Sequence, residues 1–569
     1  MVRTGVLLVA PWLAALALAQ QPPPQLPFVP TPQDLRPRPA VPDTPVEALP
    51  DRRAPPPREL GKPDADLRID VQAFAVDDDA PAELRAALPA LTAPYTGKAR
   101  RFEDLSNAAD AVSRFLQREL GDYLGYAYLP EQDPQDGVVR IAVLEGRLDR
   151  VILNWPEGMP VQRSVVEAYL AHLRPGEVLK VRDVERVVFL VNDLRGLTAQ
   201  FEVRAGEQPG TAALVVTPRP EVRWSGRAEA DTNGSRYLGR YELGGLVQAN
   251  SPFGRGDGLT ANALASTTGG LLFALLSYAT PVGSDGIKVG SSVSAVRYQL
   301  DKAEFPIDLN GDALTLNAYG LYPVVRARNL NLFTLLSLDD KRYVDRQGSS
   351  GQTRKRIDNL TLGATGDFRD SLYGGAVSTF SGTAVAGRVN YPDGRSTSLT
   401  DAPHFTKLNA LFTRLQDVVT GRALAYLSLR GQYAFNNLDT TEQFRIGGPD
   451  GVRAFAPGEG TGDNGIQLTL ELRVLPPDSW FGRNSRDMVL SAFYDAGWVQ
   501  YRTDTSALSE LQRAQNKASF SGIGVGLSWV RPDEYALRMS LSNPISGTPR
   551  SDPQVLKPRL YLLLTKFFV

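Results

Sequence analysis

The residue with the clearest chemical potential in this sequence is an arginine inside a glycine-rich loop. Arg453 lies between Val452 and Phe455, within a stretch from Ile446 to Gly465 that is too polar and too interrupted for a strand or a helix. Ordering such a loop costs conformational entropy, so a charged residue near its centre needs a partner that holds it. A carboxylate suits this role because it can bind a guanidinium through two parallel hydrogen bonds.

A candidate carboxylate, Asp495, follows about one hairpin later in an alternating stretch around Phe493. Because successive residues of a strand face opposite sides, Asp495 shares a face with Phe493 and Gly497. The other face is apolar and consists of Leu490, Ala492, Tyr494, Ala496 and Trp498. We predict that Arg453 pairs with Asp495; the alternative is two unrelated, solvated charges.

Composition excludes several classes of chemistry. The 569 residues include no cysteine, which rules out disulfides, thiolate metal sites and cysteine nucleophiles. The two histidines, His172 and His404, offer little material for a metal site or a catalytic triad. The formal net charge of −1 does not favour nucleic acid as a partner. We therefore predict no catalytic residue, no metal site and no cofactor, and we keep a hydrolase that uses His404 as a remote alternative.

The N-terminal residues indicate export from the cytoplasm. Residues 1–19 combine Arg3, an apolar core and the small-x-small sequence Ala17-Leu18-Ala19, which is the pattern of a signal peptide. A membrane anchor is the alternative, but the apolar run is shorter than the roughly 20 residues that a spanning helix needs. Residues 20–63 are interrupted by proline throughout, which predicts an extended tether without a long regular helix. A docking motif for a proline-reading partner is the other interpretation of this segment.

Two segments of similar length then repeat one pattern of elements. Residues 64–146 predict the order strand, helix, helix, strand, strand, with one helical apolar stripe at Leu105, Ala109, Val112, Leu116 and Leu120. Residues 147–218 predict the same order. The sequence therefore predicts two small α+β domains in tandem.

From about residue 219 to residue 569 the helical period disappears, and strand signals of about ten residues recur. In the stretch 466–474 one face is aliphatic, and the other consists of Gln467, Thr469, Glu471 and Arg473. Apolar-out, polar-in alternation is typical of a transmembrane β-barrel, whereas a soluble sandwich or propeller would turn its polar face outward. At roughly 22 residues for each strand and its connection, this segment predicts about sixteen antiparallel strands.

The final segment, residues 560–569, predicts the closing strand of this barrel. We expect its lipid face to consist of Tyr561, Leu563, Thr565, Phe567 and Val569, with Lys566 turned inward. The last three residues, Phe567, Phe568 and Val569, resemble the C-terminal signal by which outer-membrane barrels are assembled. A terminal valine departs from that signal, in which an aromatic residue is usual.

Several runs in the barrel segment resemble the two-partner secretion transporters of Gram-negative outer membranes, the TpsB family of the ShlB/FhaC/HecB type. They follow the family's order, after two units that resemble its POTRA domains, and comprise residues 231–239, 250–257, 277–283, 322–329, 443–448, 451–455 and 493–497. The loop motif reads Gly451-Val452-Arg453-Ala454-Phe455, and the family usually has glycine where this chain has Ala454. If φ at this position is positive, alanine costs energy there.

The run Phe493-Tyr494-Asp495-Ala496-Gly497 is similar to the family's strand motif that receives this loop. The resemblance therefore implies that the loop 443–465 is inserted into the pore and that Asp495 holds Arg453. Family members often carry an N-terminal helix that plugs the pore, and the prolines of residues 20–63 depart from that pattern. Either the loop alone plugs this pore, or the tether occupies it without forming a helix.

The resemblance implies a protein translocator in the outer membrane, with its POTRA domains in the periplasm. It implies that these domains recognise an unfolded, large, β-helical exoprotein, which then leaves through a pore gated by the inserted loop. Outer-membrane lipid is a further implied partner, and so are the barrel-assembly machinery and periplasmic chaperones during biogenesis. The alternative from the same superfamily is a factor that inserts other barrels into the membrane.

Overall fold

This computed structural model describes Thr31 and residues 68–568, apart from 79, 123–124, 131, 133–136, 209, 349–350, 395–400 and 553–556. The predicted signal peptide, Val569 and all of the predicted tether except Thr31 lie outside the described residues. The expectation that residues 20–63 contain no long regular helix therefore falls outside them as well. The described chain consists of two small α+β units followed by one closed barrel.

The first α+β unit packs two helices against short strands. Its elements are β1 (Arg68–Val71), β2 (Ala73–Ala75), α1 (Ala82–Thr92), β3 (Gly97–Arg101), α2 (Phe102–Arg118), β4 (Tyr126–Tyr128), β5 (Val138–Arg140) and β6 (Ala142–Leu144). Strand β2 runs parallel to β5, and β4 runs antiparallel to β6. Helix α2 buries the side chains that recur every three or four residues, namely Leu105, Ala109, Val112 and Leu116. The core of the unit lies beneath this stripe.

The second α+β unit repeats the arrangement with longer strands. Its elements are β7 (Arg147–Leu153), α3 (Arg163–Leu170), α4 (Val181–Asn192), β8 (Leu197–Ala205) and β9 (Thr211–Pro220). The sheet order is β7-β9-β8, with β9 parallel to β7 and antiparallel to β8. The central strand β9 contains the continuous apolar run Ala212–Val216, and all five residues are buried. Strands β7 and β8 are the two outer strands of this sheet.

Sixteen strands close into the antiparallel barrel that the sequence predicts. They are β10 (Trp224–Asp231), β11 (Glu242–Asn250), β12 (Gly258–Ser266), β13 (Leu271–Val282), β14 (Ile287–Gln299), β15 (Leu309–Arg326), β16 (Leu330–Gln347), β17 (Gln352–Asp370), β18 (Ala376–Asn390), β19 (His404–Val419), β20 (Ala423–Ala434), β23 (Asn464–Val474), β24 (Met488–Gln500), β25 (Lys517–Arg531), β26 (Tyr535–Ser546) and β27 (Arg559–Phe568). The barrel closes where β10 pairs with β27. Strands β21 (Phe444–Arg445) and β22 (Thr461–Gly462) form a short hairpin inside the connection between β20 and β23.

The barrel turns its apolar side chains outward. In β23, Ile466, Leu470 and Leu472 are 48%, 45% and 49% exposed, whereas the intervening Gln467 is 5% exposed. This is the alternation of a barrel that faces lipid on the outside and water on the inside. Among the described residues, no helix combines the length and the apolar character that a membrane-spanning helix needs.

The second α+β unit lies against one end of the barrel, which we call the proximal end. Arg326, in the last position of β15, donates hydrogen bonds to both carboxylate oxygens of Asp193 at 2.9 and 2.7 Å. Lys288 donates to the Asp193 carbonyl at 2.9 Å, and the Gln162 amide donates to the Gly254 carbonyl at 2.8 Å. The connection between β20 and β23, residues 435–463, starts and finishes at the opposite, distal end.

The prediction for the faces of β27 is wrong. Tyr561 and Thr565 are each 5% exposed and face the lumen, whereas Leu560, Leu564 and Phe568 are about half exposed on the outside. Lys566 lies on this outer face and is exposed. Both faces of β27 are rich in apolar residues, so alternation alone could not assign them, and pairing with β10 and β26 decides the outcome.

Candidate functional site

The connection between β20 and β23 folds back into the barrel and buries its apolar residues against the wall. Ile446, Val452 and Ala454 are fully buried, and Phe455 is 1% exposed. These residues form one cluster with Val499 and Phe520 of the barrel strands. The rings of Phe455 and Phe520 meet edge to face with centroids 4.9 Å apart. The sequence of this loop is polar and irregular, but the loop packs its apolar side chains against the inner wall of the barrel, at a position that we call the loop seat.

Arg453 and Asp495 lie together at the loop seat. The Arg453 Nε donates to Asp495 Oδ2 at 2.8 Å, and Nη2 donates to Oδ1 at 3.0 Å. The backbone amide of Arg453 donates to the same carboxylate at 3.1 Å, and the Thr469 hydroxyl donates to it at 3.0 Å. The Asp495 side chain is 1% exposed and that of Arg453 is 14% exposed. The pair is thus bidentate and largely removed from water, a geometry that gives direction as well as energy.

Two neighbours complete the surroundings of the guanidinium. Arg453 Nη1 donates to Glu471 Oε2 at 3.1 Å, and the guanidinium carbon lies 3.2 Å from the centroid of the Phe493 ring. Glu471 also accepts a hydrogen bond from Arg473 at 3.0 Å. The sequence pattern predicts Glu471 on the polar face of its strand but does not indicate a contact with Arg453. Its place in the site follows from the pairing of β23 with β24, which sets Glu471 directly opposite Phe493.

The glycines of both motifs leave room for the loop backbone and its apolar side chains. A methyl group at Gly497 would collide with the Ile446 side chain, and a methyl group at Gly451 would collide with the Ile446 carbonyl. The Ser542 hydroxyl donates to the Arg453 carbonyl at 2.8 Å, and the Tyr561 hydroxyl donates to the Phe455 carbonyl at 2.9 Å. Strands β26 and β27 therefore hold the loop backbone on the side away from Asp495.

Ala454 fits this loop without backbone strain. The described non-glycine residues with positive φ are Ala99, Ser251, Tyr373 and Asp533, so Ala454 is not among them. Its methyl group instead lies against Gly522 of β25, where an added Cβ would stand 2.5 Å from the Ala454 Cβ. Alanine is therefore accommodated at 454 because the facing strand has no side chain at 522.

Two further carboxylates tie the loop to neighbouring distal connections. Glu459 is fully buried and accepts hydrogen bonds from the amides of Arg550, Ser551 and Asp552 at 2.8, 3.0 and 3.3 Å. Asp463, also fully buried, accepts from the amides of Leu438 and Thr503 at 3.1 and 2.9 Å. Because both carboxylates are held by backbone amides, the loop and its neighbours together cover the distal end.

The lumen retains a cavity of about 850 Å³ beside the loop. Its lining includes Asn317 and Lys341 of the wall, Gly448 and Pro449 of the loop, and Thr31. Thr31 is 6% exposed, so this residue is buried beside the lumen cavity.

The remaining candidate residues take no part in the Arg453–Asp495 contact. Phe568 is 56% exposed on the outer face of β27, Phe567 is half-buried and pairs with Arg227, and Val569 lies outside the described residues. His404 is the exposed first residue of β19. In the described part of the chain, no group of three or more histidine, aspartate or glutamate residues could hold a metal ion.

A closed sixteen-stranded barrel, preceded by α+β units and containing an inserted loop, defines the POTRA-plus-barrel class of outer-membrane proteins. The family model described as haemolysin secretion/activation protein ShlB/FhaC/HecB matches residues 210–529, and the model described as POTRA domain, ShlB-type, matches residues 71–146. The chain belongs to the ShlB/FhaC/HecB family. It is a two-partner secretion transporter that lies in the outer membrane, exports an exoprotein and exposes its POTRA region to the periplasm.

Relatives and solved structures agree with this assignment. The heme/hemopexin transporter protein HuxB of Haemophilus influenzae (strain 86-028NP) is 26% identical over 80% of this chain and 79% of that protein. The outer membrane transporter CdiB of Dickeya dadantii is 26% identical over 67% of this chain and 68% of that protein. The solved structure of CdiB from Escherichia coli shares the fold with a TM-score of 0.70 at 20% identity, covering 91% of this chain and 94% of that one.

Proposed function

We propose that this transporter captures an unfolded exoprotein at its periplasmic α+β units and releases it through a pore that the inserted loop opens and closes. The observation that carries the gating role is the bidentate Arg453–Asp495 pair, which holds the loop across the lumen. A buried ion pair is weak evidence for stability, and we infer that this pair instead selects one conformation of the loop. Here that conformation is the closed pore.

Strand pairing is the mode of capture that we propose for the cargo. An outer strand can take an incoming extended chain through backbone hydrogen bonds, and side-chain pockets then set the register. Strand β8 spans nine residues, whereas β2 and β4 in the first unit span three each. We therefore assign the main capture edge to β8, with the first unit presenting the cargo to it.

The proposal assigns no catalytic activity and no cofactor to the chain. Export is driven by cargo that folds after it has left the cell, and a large β-helical exoprotein suits such a route. Outer-membrane lipid surrounds the barrel, and the barrel-assembly machinery and periplasmic chaperones act during biogenesis. Nucleic acid has no role.

Comparing the proteins secreted by cells with and without this chain tests the proposed function. We expect the loss of one large exoprotein from the medium, and an unchanged secretome would contradict the proposal. Deleting residues 67–146 should weaken cargo binding, because the first unit no longer presents the cargo to β8, while the barrel still assembles. Unimpaired binding by that deletion would make the first unit a spacer.

Reconstitution separates secretion from barrel insertion. Purified transporter in lipid vesicles should move a soluble exoprotein across the bilayer and should leave a separate unfolded barrel protein uninserted. Insertion of the barrel protein without movement of the soluble cargo would favour the assembly-factor alternative.

A further inference from the structure

A second charged site lies at the start of the inserted loop, away from Arg453. Asp439 and Glu442 follow β20 by a few residues and are 1% and 3% exposed. Their carboxylates face a sector of the wall formed by β16, β17 and β19. Arg453 contacts a different sector, formed by β23 and β24.

Glu442 joins two lysines of the wall. Lys341 of β16 lies 2.7 Å from Glu442 Oε1, and Lys407 of β19 lies 2.9 Å from Oε2. The Asn359 amide of β17 donates to Oε1 at 3.2 Å. Lys407 also donates to the Glu442 backbone carbonyl at 2.6 Å, and Gln432 donates to that carbonyl at 3.2 Å. Both the side chain and the main chain of this loop residue are therefore held by the barrel.

Asp439 takes a third lysine. Lys355 Nζ of β17 lies 2.8 and 3.0 Å from the two carboxylate oxygens and stands 4.9 Å from the centroid of the Tyr343 ring. The amide and hydroxyl of Thr441 donate to the same carboxylate at 2.9 and 2.7 Å. The Asp439 carboxylate thus holds the turn of the loop through Thr441 and also binds the barrel wall through Lys355.

The charges at this site depend on one another. Lys341, Lys355 and Lys407 are 4%, 6% and 7% exposed, and a lysine is rarely so buried without a counter-charge. The loop supplies the carboxylates that these three ammonium groups contact. Withdrawing the start of the loop would leave three positive charges facing the lumen, which is costly in a confined space.

We propose that Asp439 and Glu442 form a base clamp, a second attachment that holds the start of the loop to β16–β19 whether or not Arg453 is engaged. This inference rests on the proposed gating role of the loop. When the Arg453–Asp495 pair releases, the base clamp keeps residues 437–445 in place. Opening is then a movement of the segment 446–460, which turns about a fixed base.

Single-channel conductance in planar bilayers, measured without cargo, tests the base clamp. The double variant Asp439→Asn/Glu442→Gln should keep the barrel folded and raise the open probability about tenfold. Combining it with Arg453→Ala should open the pore more than either change alone. The matched control is Asp340→Asn, which neutralises a carboxylate of β16 that pairs with the exposed Arg342. An unchanged conductance in the double variant, or a triple variant equal to Arg453→Ala alone, would overturn the proposal.

Exchanging the charges of Asp439 and Lys355 distinguishes loss of the clamp from misfolding of a variant. Asp439→Lys places like charges together and should open the pore, and adding Lys355→Glu should restore closure. Folding of every variant is checked by the gel shift that a barrel undergoes on boiling. If the folded exchange variant stays as open as Asp439→Lys, the contact does not act as a clamp. Secretion of the exoprotein is measured separately. If the loop proves to have no role in export, the conductance data still show whether the base clamp holds the loop.

Discussion

At the scale of single residues, the loop depends on charges that the barrel has removed from water. Exposed ion pairs contribute little to stability, since water screens them. The Arg453 guanidinium instead has both edges bound to carboxylates and one face on the Phe493 ring. Such a site discriminates between cations, because lysine can offer a point charge but neither the planar fork nor the stacking surface.

Replacing Arg453 with alanine should abolish gating of the pore, while the sixteen strands should still pair into a folded barrel. The change leaves the buried Asp495 carboxylate without its main counter-charge. Removing one partner of a buried pair destabilises the folded state by about 3–5 kcal/mol. We expect higher resting conductance and loss of exoprotein secretion, with Arg453→Lys intermediate. Arg486→Ala is the matched control because Arg486 is highly exposed and pairs with Asp478 across a proximal turn. Wild-type secretion by Arg453→Ala would refute the gating role.

The contact between Ala454 and Gly522 predicts a reciprocal effect. Gly522→Ala should loosen the loop, since its methyl group would lie 2.5 Å from the Ala454 Cβ. Adding Ala454→Gly should recover part of the closed conductance because it removes the second methyl group, while the new Cβ still lies 3.0 Å from the Asn543 carbonyl oxygen. Gly382→Ala in β18 is the control, as a Cβ there meets nothing within 4 Å. Equal conductance in the single and double variants would show that the two positions do not contact.

At the scale of elements, strand register decides which side chains reach the lumen. A shift by one residue turns every side chain of a strand to its other face. Strand β27 illustrates this, because Leu563 pairs with Asp231 on the lumen side while the next residue, Leu564, is 48% exposed outside. Alternation along this strand does not distinguish the two faces, because both are rich in apolar residues.

Arginine substitutions at two adjacent positions test the register of β27. Leu564→Arg should destabilise the barrel by about 2–4 kcal/mol, the typical cost of a lipid-facing arginine near the bilayer midplane. Leu563→Arg should cost less because its side chain enters a polar lumen. Denaturant unfolding in lipid vesicles, followed by tryptophan fluorescence, measures both. A larger cost at 563 than at 564 would restore the original assignment of faces.

At the scale of the whole molecule, the proximal and distal ends of the barrel serve different purposes. The periplasmic unit is attached to the proximal end of the barrel through the Arg326–Asp193 pair. At the distal end, Glu459 and Asp463 hold the loop to its neighbours. Cargo would therefore meet a fixed entrance and a movable exit.

Thr31 lies beside the lumen cavity, and a thiol probe can test this position. Because the chain contains no cysteine, a single Thr31→Cys change introduces a unique label site. We expect slow labelling by a bulky, membrane-impermeant maleimide, since Thr31 is 6% exposed beside the lumen cavity. Ala507→Cys, exposed in the connection between β24 and β25, is the fast control. Equal labelling rates would place residue 31 outside the pore.

Much of the architecture follows from local patterns in the sequence. Alternation across β23, with Gln467 inward and Ile466 outward, predicts a lipid-facing barrel because lipid leaves no other partner for the backbone groups of a strand. The length of the segment then predicts about sixteen strands. Alternation alone would also suit a soluble sandwich, and the signal peptide, the C-terminal strand and the loop motif favour the barrel. The same alternation in β24 turns Asp495 to the lumen, where a loop arginine can reach it.

The sequence by itself therefore determined the class of fold, the family resemblance and the pairing of Arg453 with Asp495. Only the tertiary structure decided the faces of β27, the role of Glu471, the fit of Ala454 to Gly522, and the base clamp at Asp439 and Glu442. Periodicity reports which neighbours along one strand share a face. Periodicity carries no information about which distant strand faces the loop across the lumen. The energies of the buried contacts depend on how close the loop side chains come to the side chains of that strand.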